Sequence, residues 1–210
     1  MKSVECPLLV YPQELELSCF VTLNEIVTKA NMSIPKTILI TGASGLVGQS
    51  LCVALIARSH SVRTLARSDR GDYQWDVASR EIDPRALDGV DVVIHLAGES
   101  VAQYWTDATK ARILDSRVES TRLLVDLILA QEKRPDYIAA SGISYYGIES
   151  KYTVDESSVT GKGFLAEVTR QWEGAAQSLT EAGVRTVFLR TGIVLSAKGG
   201  ALAKMLTPFK

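Results

Sequence analysis

The chain has 210 residues, of which 46% are hydrophobic and 22% charged. That is enough to bury one core, and it excludes a disordered or collagen-like polymer. Lysine and arginine number 23 against 24 aspartates and glutamates, a net charge of −1, so no global field draws the molecule to nucleic acid or an anionic membrane and a small-molecule partner is expected. No apolar run approaches the roughly 18–20 residues needed to cross a bilayer. Cys6, Cys19 and Cys52 are an odd, scattered set, and with His60 and His95 they lack metal-ligand spacing, so the reading is a reducing, cytoplasmic compartment and no metal.

Residues 1–35 mix short apolar pieces with Glu5, Glu14 and Glu16, which is neither a secretory signal nor an Arg-rich transit peptide. They are expected to form a loosely attached N-terminal extension, with Met32 as a natural start. From Thr37 the pattern changes to alternating strands and helices. Residues 37–41 (TILIT) are apolar enough for a strand buried on both faces. Residues 46–58 carry Leu46, Leu51, Ala54 and Leu55 at helical spacing. Strands follow at 62–66, weakly at 73–75, and at 91–96. A long helix at 105–131 presents Ile113, Leu114, Val118, Leu124 and Ile128 to the core, and a strand at 137–141, a helix at 164–181 and a sixth strand at 185–190 complete the alternation. Such a pattern predicts an α/β fold with a doubly wound parallel sheet of Rossmann type, helices on both faces, and strand order 3-2-1-4-5-6. The domain is expected over 36–195, and 196–210 read as the start of an incomplete substrate-binding portion.

Between the first strand and the first helix stands Thr41-Gly42-Ala43-Ser44-Gly45-Leu46-Val47-Gly48. Gly42 allows a tight turn, Gly45 lets backbone approach a diphosphate, and Gly48 lets helix and strand pack closely. The free amides and positive dipole end of the helix then suit phosphate, so Gly42, Ser44, Gly45, Leu46, Val47 and Gly48 are expected to bind a dinucleotide. The second strand ends in Leu65-Ala66-Arg67-Ser68, where NAD sites usually carry an acid for the ribose hydroxyls. The Arg67 guanidinium can pair with a 2′-phosphate, so NADP(H) is preferred. The competing reading of Arg67 is a solvated charge, and Asp69 nearby keeps NAD(H) open.

TGASGLVG, Trp75-Asp76, HLAGES at 95–100, SGISYYG at 141–147 and LRTGIVL at 189–195 together resemble the extended short-chain dehydrogenase/reductases. The resemblance is closest to their atypical "epimerase family protein" group, related to the NAD-dependent epimerases and dehydratases. It runs from about Ile38 to the last residue, and it implies a chain that stops short of where relatives continue. It implies further that Asp76 meets the adenine amino group, with a simple turn residue as the rival reading. Leu96, Ala97 and Gly98 would line the cofactor, Arg117 would meet a cofactor phosphate or substrate anion from the place where relatives carry Asn, and Gly192 and Val194 would belong to the segment that receives the nicotinamide carboxamide.

In such relatives Ser or Thr holds the substrate oxygen while Tyr and Lys, four residues apart on a helix, move the proton. No Tyr-x-x-x-Lys occurs in this chain: four residues after Tyr145, Tyr146 and Tyr152 come Glu149, Ser150 and Glu156. Aligned on Glu173, the two positions hold Leu165 and Thr169. Ser141, or Gly142 if the alignment shifts by one, takes the hydroxyl position, and Tyr145 is the candidate substitute acid. Two functions stay open. One is an NADP(H)-dependent oxidoreductase or nucleotide-sugar-epimerase-like enzyme acting on a sugar nucleotide or another carbonyl or hydroxyl compound. The other is a non-catalytic NADPH-binding redox sensor or partner-binding module.

Overall fold

The structure is a computed structural model that describes residues 34–147, 153–196 and 198–205. Most of the expected N-terminal extension, with Cys6, Cys19 and Met32, lies outside the described residues, as does Tyr152. Strands β1 (Thr37–Thr41), β2 (Ser61–Ala66), β3 (Tyr73–Asp76), β4 (Glu81–Ile82), β5 (Val92–His95), β6 (Asp136–Gly142), β7 (Thr186–Thr191) and β8 (Leu195–Ser196) alternate with helices α1 (Leu46–Ile56), α2 (Asp107–Leu129), α3 (Phe164–Gly174), α4 (Gln177–Glu181) and α5 (Gly200–Met205).

Seven strands form one sheet in the order β4-β3-β2-β1-β5-β6-β7. Apart from β4 this is the expected 3-2-1-4-5-6 order, and every pair is parallel except β3 with β4. The antiparallel edge strand is only two residues long, too short to leave a period in the sequence. The apolar run of β1 is buried from Ile38 to Thr41, as a central parallel strand requires. Helix α2 starts where Thr106 accepts a hydrogen bond from the Thr109 amide, with Asp107 in its first turn, both favourable at a helix N-terminus. The helix expected over 164–181 is broken in two. Gly174 has weak helix propensity, Ala176 leaves helical angles at φ −104°, ψ 9°, and α4 restarts with Leu179 buried.

The core lies between the sheet and the helices after β5 and β6. Leu39, Val93, Tyr137 and Ala139 meet Leu124 and Ile128 of α2 and Leu179 of α4 in one apolar cluster. No described helix is long and apolar enough to cross a membrane. Leu124 of α2 is fully buried in this cluster, and Leu124→Ala is expected to cost about 2–5 kcal/mol, read as a lower urea midpoint with an unchanged slope.

Candidate functional site

The order in which the chain adds strands to the sheet reverses at β1 and β5, which run parallel side by side with Thr41 opposite His95. The connections leaving these two strands diverge there and open a crevice at the carboxyl edge, the place where ligands bind in open α/β sheets. The glycine turn leaves β1 into this crevice and Leu96-Ala97-Gly98 leave β5 into it.

Gly42 sits at φ +71°, and a Cβ there would lie 2.8 Å from the Ala97 amide nitrogen and 2.8 Å from the Leu96 carbonyl carbon. No other residue fits. At Gly48 a Cβ would fall 2.3 Å from the Gly42 carbonyl oxygen, so the first turn of α1 rests directly on the turn before it. Gly45 is in closer reach of substitution, with the Gly42 oxygen 3.2 Å away. Helix α1 has no side-chain cap at Gly45 and no acid in its first turn. The amides of Leu46, Val47 and Gly48 therefore stand at an uncapped helix start, a ready seat for an anion. Ser44 is exposed beside them. These are the features a dinucleotide diphosphate requires, and the residues present fit it.

What holds β1 and β5 together at their ends is a chain of buried hydrogen bonds. Thr41 Oγ1 accepts from the Leu96 and Ala97 amides, both at 3.2 Å, so it has its proton to give to His95 Nδ1 at 2.6 Å. His95 Nε2–H then donates to Ser120 Oγ at 3.1 Å, and Ser120 passes its own proton to the Ser116 carbonyl at 2.6 Å. His95 is fully buried, edge-on to Trp75 and Trp172. Burial first, and the Arg117 charge second, push its pKa down to about 3, so the ring is neutral. The sequence placed His95 at the head of the HLAGES motif and excluded it from a metal site but gave it no role, although one histidine closing an apolar strand must find partners for both nitrogens.

Around this frame the other expected residues fall in different places. Arg67 is exposed just past β2, one strand away from the glycine turn, and makes no ion pair among the described residues. Arg70, which the sequence reading passed over, is exposed on the same loop. Asp76 ends β3, and its Oδ1 accepts from the Ala78 and Ser79 amides at 2.8 and 3.3 Å, so the turn role is real and the other carboxylate oxygen remains. Gly98 is exposed and faces the Arg117 guanidinium. Beyond β7, the bridges Leu195–Gly200 and Ser196–Gly199 form a short hairpin. A Cβ at Gly200 would meet Leu46 Cδ2 at 3.2 Å and the Val194 oxygen at 3.4 Å, which brings the segment of Gly192 and Val194 against the start of α1.

The candidate residues for chemistry belong to a second network. Glu173 of α3 and Arg190 of β7 are paired at 2.8 and 2.9 Å, only 12% and 18% exposed. Ser141 Oγ donates to Glu173 Oε1 at 2.6 Å, and Arg190 Nη1 donates to the Tyr146 hydroxyl at 2.7 Å. The Arg190 guanidinium covers the Tyr145 ring, 3.5 Å from its centroid. The Glu173 carboxylate keeps Arg190 charged, above its already high usual range. Ser141 is buried, so the hydroxyl that the resemblance gives to a substrate is spent on Glu173. Thr169, at the lysine position, is buried and donates to the Leu165 and Ala166 carbonyls. Gly142 leaves room for Ser144 Oγ, 3.0 Å from where its Cβ would stand. A charge inside the apolar strand FLR is the sequence signal that a partner such as Glu173 had to exist. Among the described residues, no group of three or more His, Cys, Asp or Glu is placed to hold a metal ion.

A parallel sheet with a three-glycine turn at its switch point and an uncapped helix start above it defines a dinucleotide-binding domain of the short-chain dehydrogenase/reductase kind. The chain belongs to the NAD dependent epimerase/dehydratase family, whose profile matches residues 38–198. An epimerase family protein of Mycobacterium bovis is 39% identical over 170 residues, covering 79% of this chain and 56% of the relative. The crystal structure of a nucleoside-diphosphate sugar epimerase from Corynebacterium glutamicum superposes with a TM-score of 0.76 at 34% identity, over 90% of this chain and 41% of that one. Human epimerase family protein SDR39U1, solved with NADPH, gives a TM-score of 0.71 at 29% identity over 82% of this chain and 59% of that one. The chain thus spans somewhat over half the length of the curated relatives it matches.

The His95 frame has a consequence for acid stability. Its folded pKa of about 3 lies below the ordinary value of 6.5, so between the two the unfolded chain binds a proton that the folded chain refuses. Stability should therefore fall as pH drops through this window, by up to about 1.4 kcal/mol per pH unit from this group. His95→Gln, which cannot titrate, should be less stable at neutral pH but show a shallower acid slope in urea titrations between about pH 7 and pH 4.5. Equal slopes would remove His95 as the cause.

Proposed function

We propose that residues 36–195 form the NADP(H)-binding domain of an oxidoreductase or nucleotide-sugar-epimerase-like enzyme, acting on a sugar nucleotide or another carbonyl or hydroxyl compound. The single observation that carries the reading is the cradle at the switch point, in which Gly42 and Gly48 leave no space for a Cβ and α1 begins uncapped. In this reading Gly42, Ser44, Gly45, Leu46, Val47 and Gly48 seat the diphosphate. Arg67, with Arg70 beside it, takes the 2′-phosphate, and the free oxygen of Asp76 meets the adenine amino group. Leu96, Ala97 and Gly98 line the adenosine side and Gly192 and Val194 the nicotinamide side.

Bound there, the nicotinamide would give or accept a hydride. The protein's part is to orient the two reactants and manage the proton. Ser141 serves as a positioning residue, since its hydroxyl fixes Glu173 and through it Arg190. Tyr145 is the phenol left to act on substrate, because the Tyr146 hydroxyl already accepts from Arg190 while that of Tyr145 has no hydrogen-bond partner among the described residues. The segment of Thr160 and Gly161 pins the backbone below it, donating to the Tyr145 carbonyl at 2.9 and 2.8 Å. The likeness to the Corynebacterium sugar epimerase supports a sugar-nucleotide substrate, and the human relative solved with NADPH supports the preferred coenzyme.

A second reading, a non-catalytic NADPH-binding sensor or partner-binding module, is favoured by one observation: the hydroxyls of Ser141 and Tyr146 are both committed to the Glu173–Arg190 pair. Turnover separates the two. Substrate-dependent oxidation of NADPH across a panel of carbonyl compounds and sugar nucleotides, abolished by Tyr145→Phe with NADPH affinity intact, supports the enzyme; saturable binding without turnover supports the sensor. The coenzyme assignment has its own measurement. Arg67→Ala should weaken NADPH binding by about 1.5–3 kcal/mol and leave NADH nearly unchanged in calorimetry, and equal losses for both would defeat it.

A further inference from the structure

Arg117 lies on α2, half-buried, with its guanidinium clamped between two elements. On one side a Cβ at Gly98 would stand 3.0 Å from Arg117 Cζ, 3.2 Å from Nη2 and 3.3 Å from Nε. These near-equal distances put the Cβ position of Gly98 over the face of the guanidinium. On the other side Cζ stands 5.1 Å from the centroid of the Trp172 ring. The missing side chain of Gly98 thus makes room for Arg117, a reason for that glycine in addition to any approach of cofactor.

The cation is held firmly and yet incompletely satisfied. Nη1 donates to the Ile113 carbonyl at 2.9 Å. Nε and Nη2 have no hydrogen-bond partner among the described residues, and no described carboxylate comes within ion-pair distance. Glu99 acts on the charge only from further away, and burial outweighs it, lowering the pKa of Arg117 from its usual high value. Arg190, the other half-buried arginine of the crevice, spends all three nitrogens on partners. Keeping a charge desolvated without an acceptor is costly, and a fold tolerates that cost where a ligand supplies the acceptor.

The position of Arg117 says where such an acceptor would lie. Trp172, the ring it covers, is three residues after Thr169 on α3 and so on the same face of the helix. Thr169 is the residue at the place of the absent lysine. The guanidinium, coming across from α2, reaches this part of the crevice at the end of β5, on the far side of the switch point from Arg67.

We propose that Arg117 is the cation of the reaction centre, its unspent Nε–H and Nη2–H groups donating to acceptors on the nicotinamide half of the dinucleotide, where α3 carries no lysine. The inference rests on the NADP(H) reading and adds to it a residue and a contact.

The test is calorimetric titration of the full chain with two probes: NADPH, and adenosine 2′,5′-bisphosphate, which lacks the nicotinamide half. Arg117→Gln should weaken NADPH about tenfold or more and leave the bisphosphate within about twofold, while Arg117→Lys recovers most of the loss. Removing an unpaired charge should also leave the melting temperature of Arg117→Gln unchanged or raised, which a structural role for the side chain would not allow. Wild type binding both probes with Arg117→Gln unchanged, or weakened equally toward both, would overturn the inference alone, and so would a lysine variant no better than glutamine. A wild type that binds neither probe would overturn the coenzyme reading and the inference with it.

Discussion

The Thr41 hydroxyl is the point on which the crevice depends. It closes β1 onto β5 by taking two amides of the Leu96–Ala97 segment and giving its proton to His95. Because these amides are satisfied by Thr41, the backbone of Leu96 and Ala97 can pack so close to Gly42 that a Cβ there would stand 2.8 Å from it, without an orphaned donor. The turn, the strand end and the first turn of α1 are consequently one packed unit. A side chain at Gly42 or Gly48 would break it whatever the ligand, so stability and binding are coupled at these positions.

Two arginines in the far half of the crevice are held in different ways. Arg190 is neutralised by Glu173, covers Tyr145 and holds Tyr146, fixing the connection after β6 to the edge strand β7. Burying that pair is tolerable because each partner has the other, together with further hydrogen bonds. Among the described residues Arg117 has no such carboxylate, only the Ile113 carbonyl and the Trp172 ring. The contrast separates a charge that the fold neutralises for its own cohesion from one whose Nε–H and Nη2–H groups have no acceptor among the described residues.

The usual proton relay of extended short-chain dehydrogenases needs a phenol and an ammonium one helical turn apart. Leu165 and Thr169 close that route on α3. The polar groups that remain come from other elements: the turn after β6, the strand β7 and the helix α2. A site of this kind is assembled by packing between elements, and its residues have no fixed spacing along the chain.

The sequence by itself determined the doubly wound sheet, the order of its main strands and the glycine turn, because periodicity and a three-glycine spacing are local properties that neighbouring residues dictate. It also marked Arg67, since the end of the second strand is a fixed distance from that turn. Only the tertiary structure decided that His95 ties two strand ends to α2, that Ser141 is spent on Glu173, and that Gly98 makes room for Arg117. Each of these joins residues separated by many positions, and whether a hydroxyl or a cation is free depends on what the other elements bring to it. The helix break at Ala176 and the two-residue β4 were illegible for the same reason, as both are set by packing in competition with weak local preference.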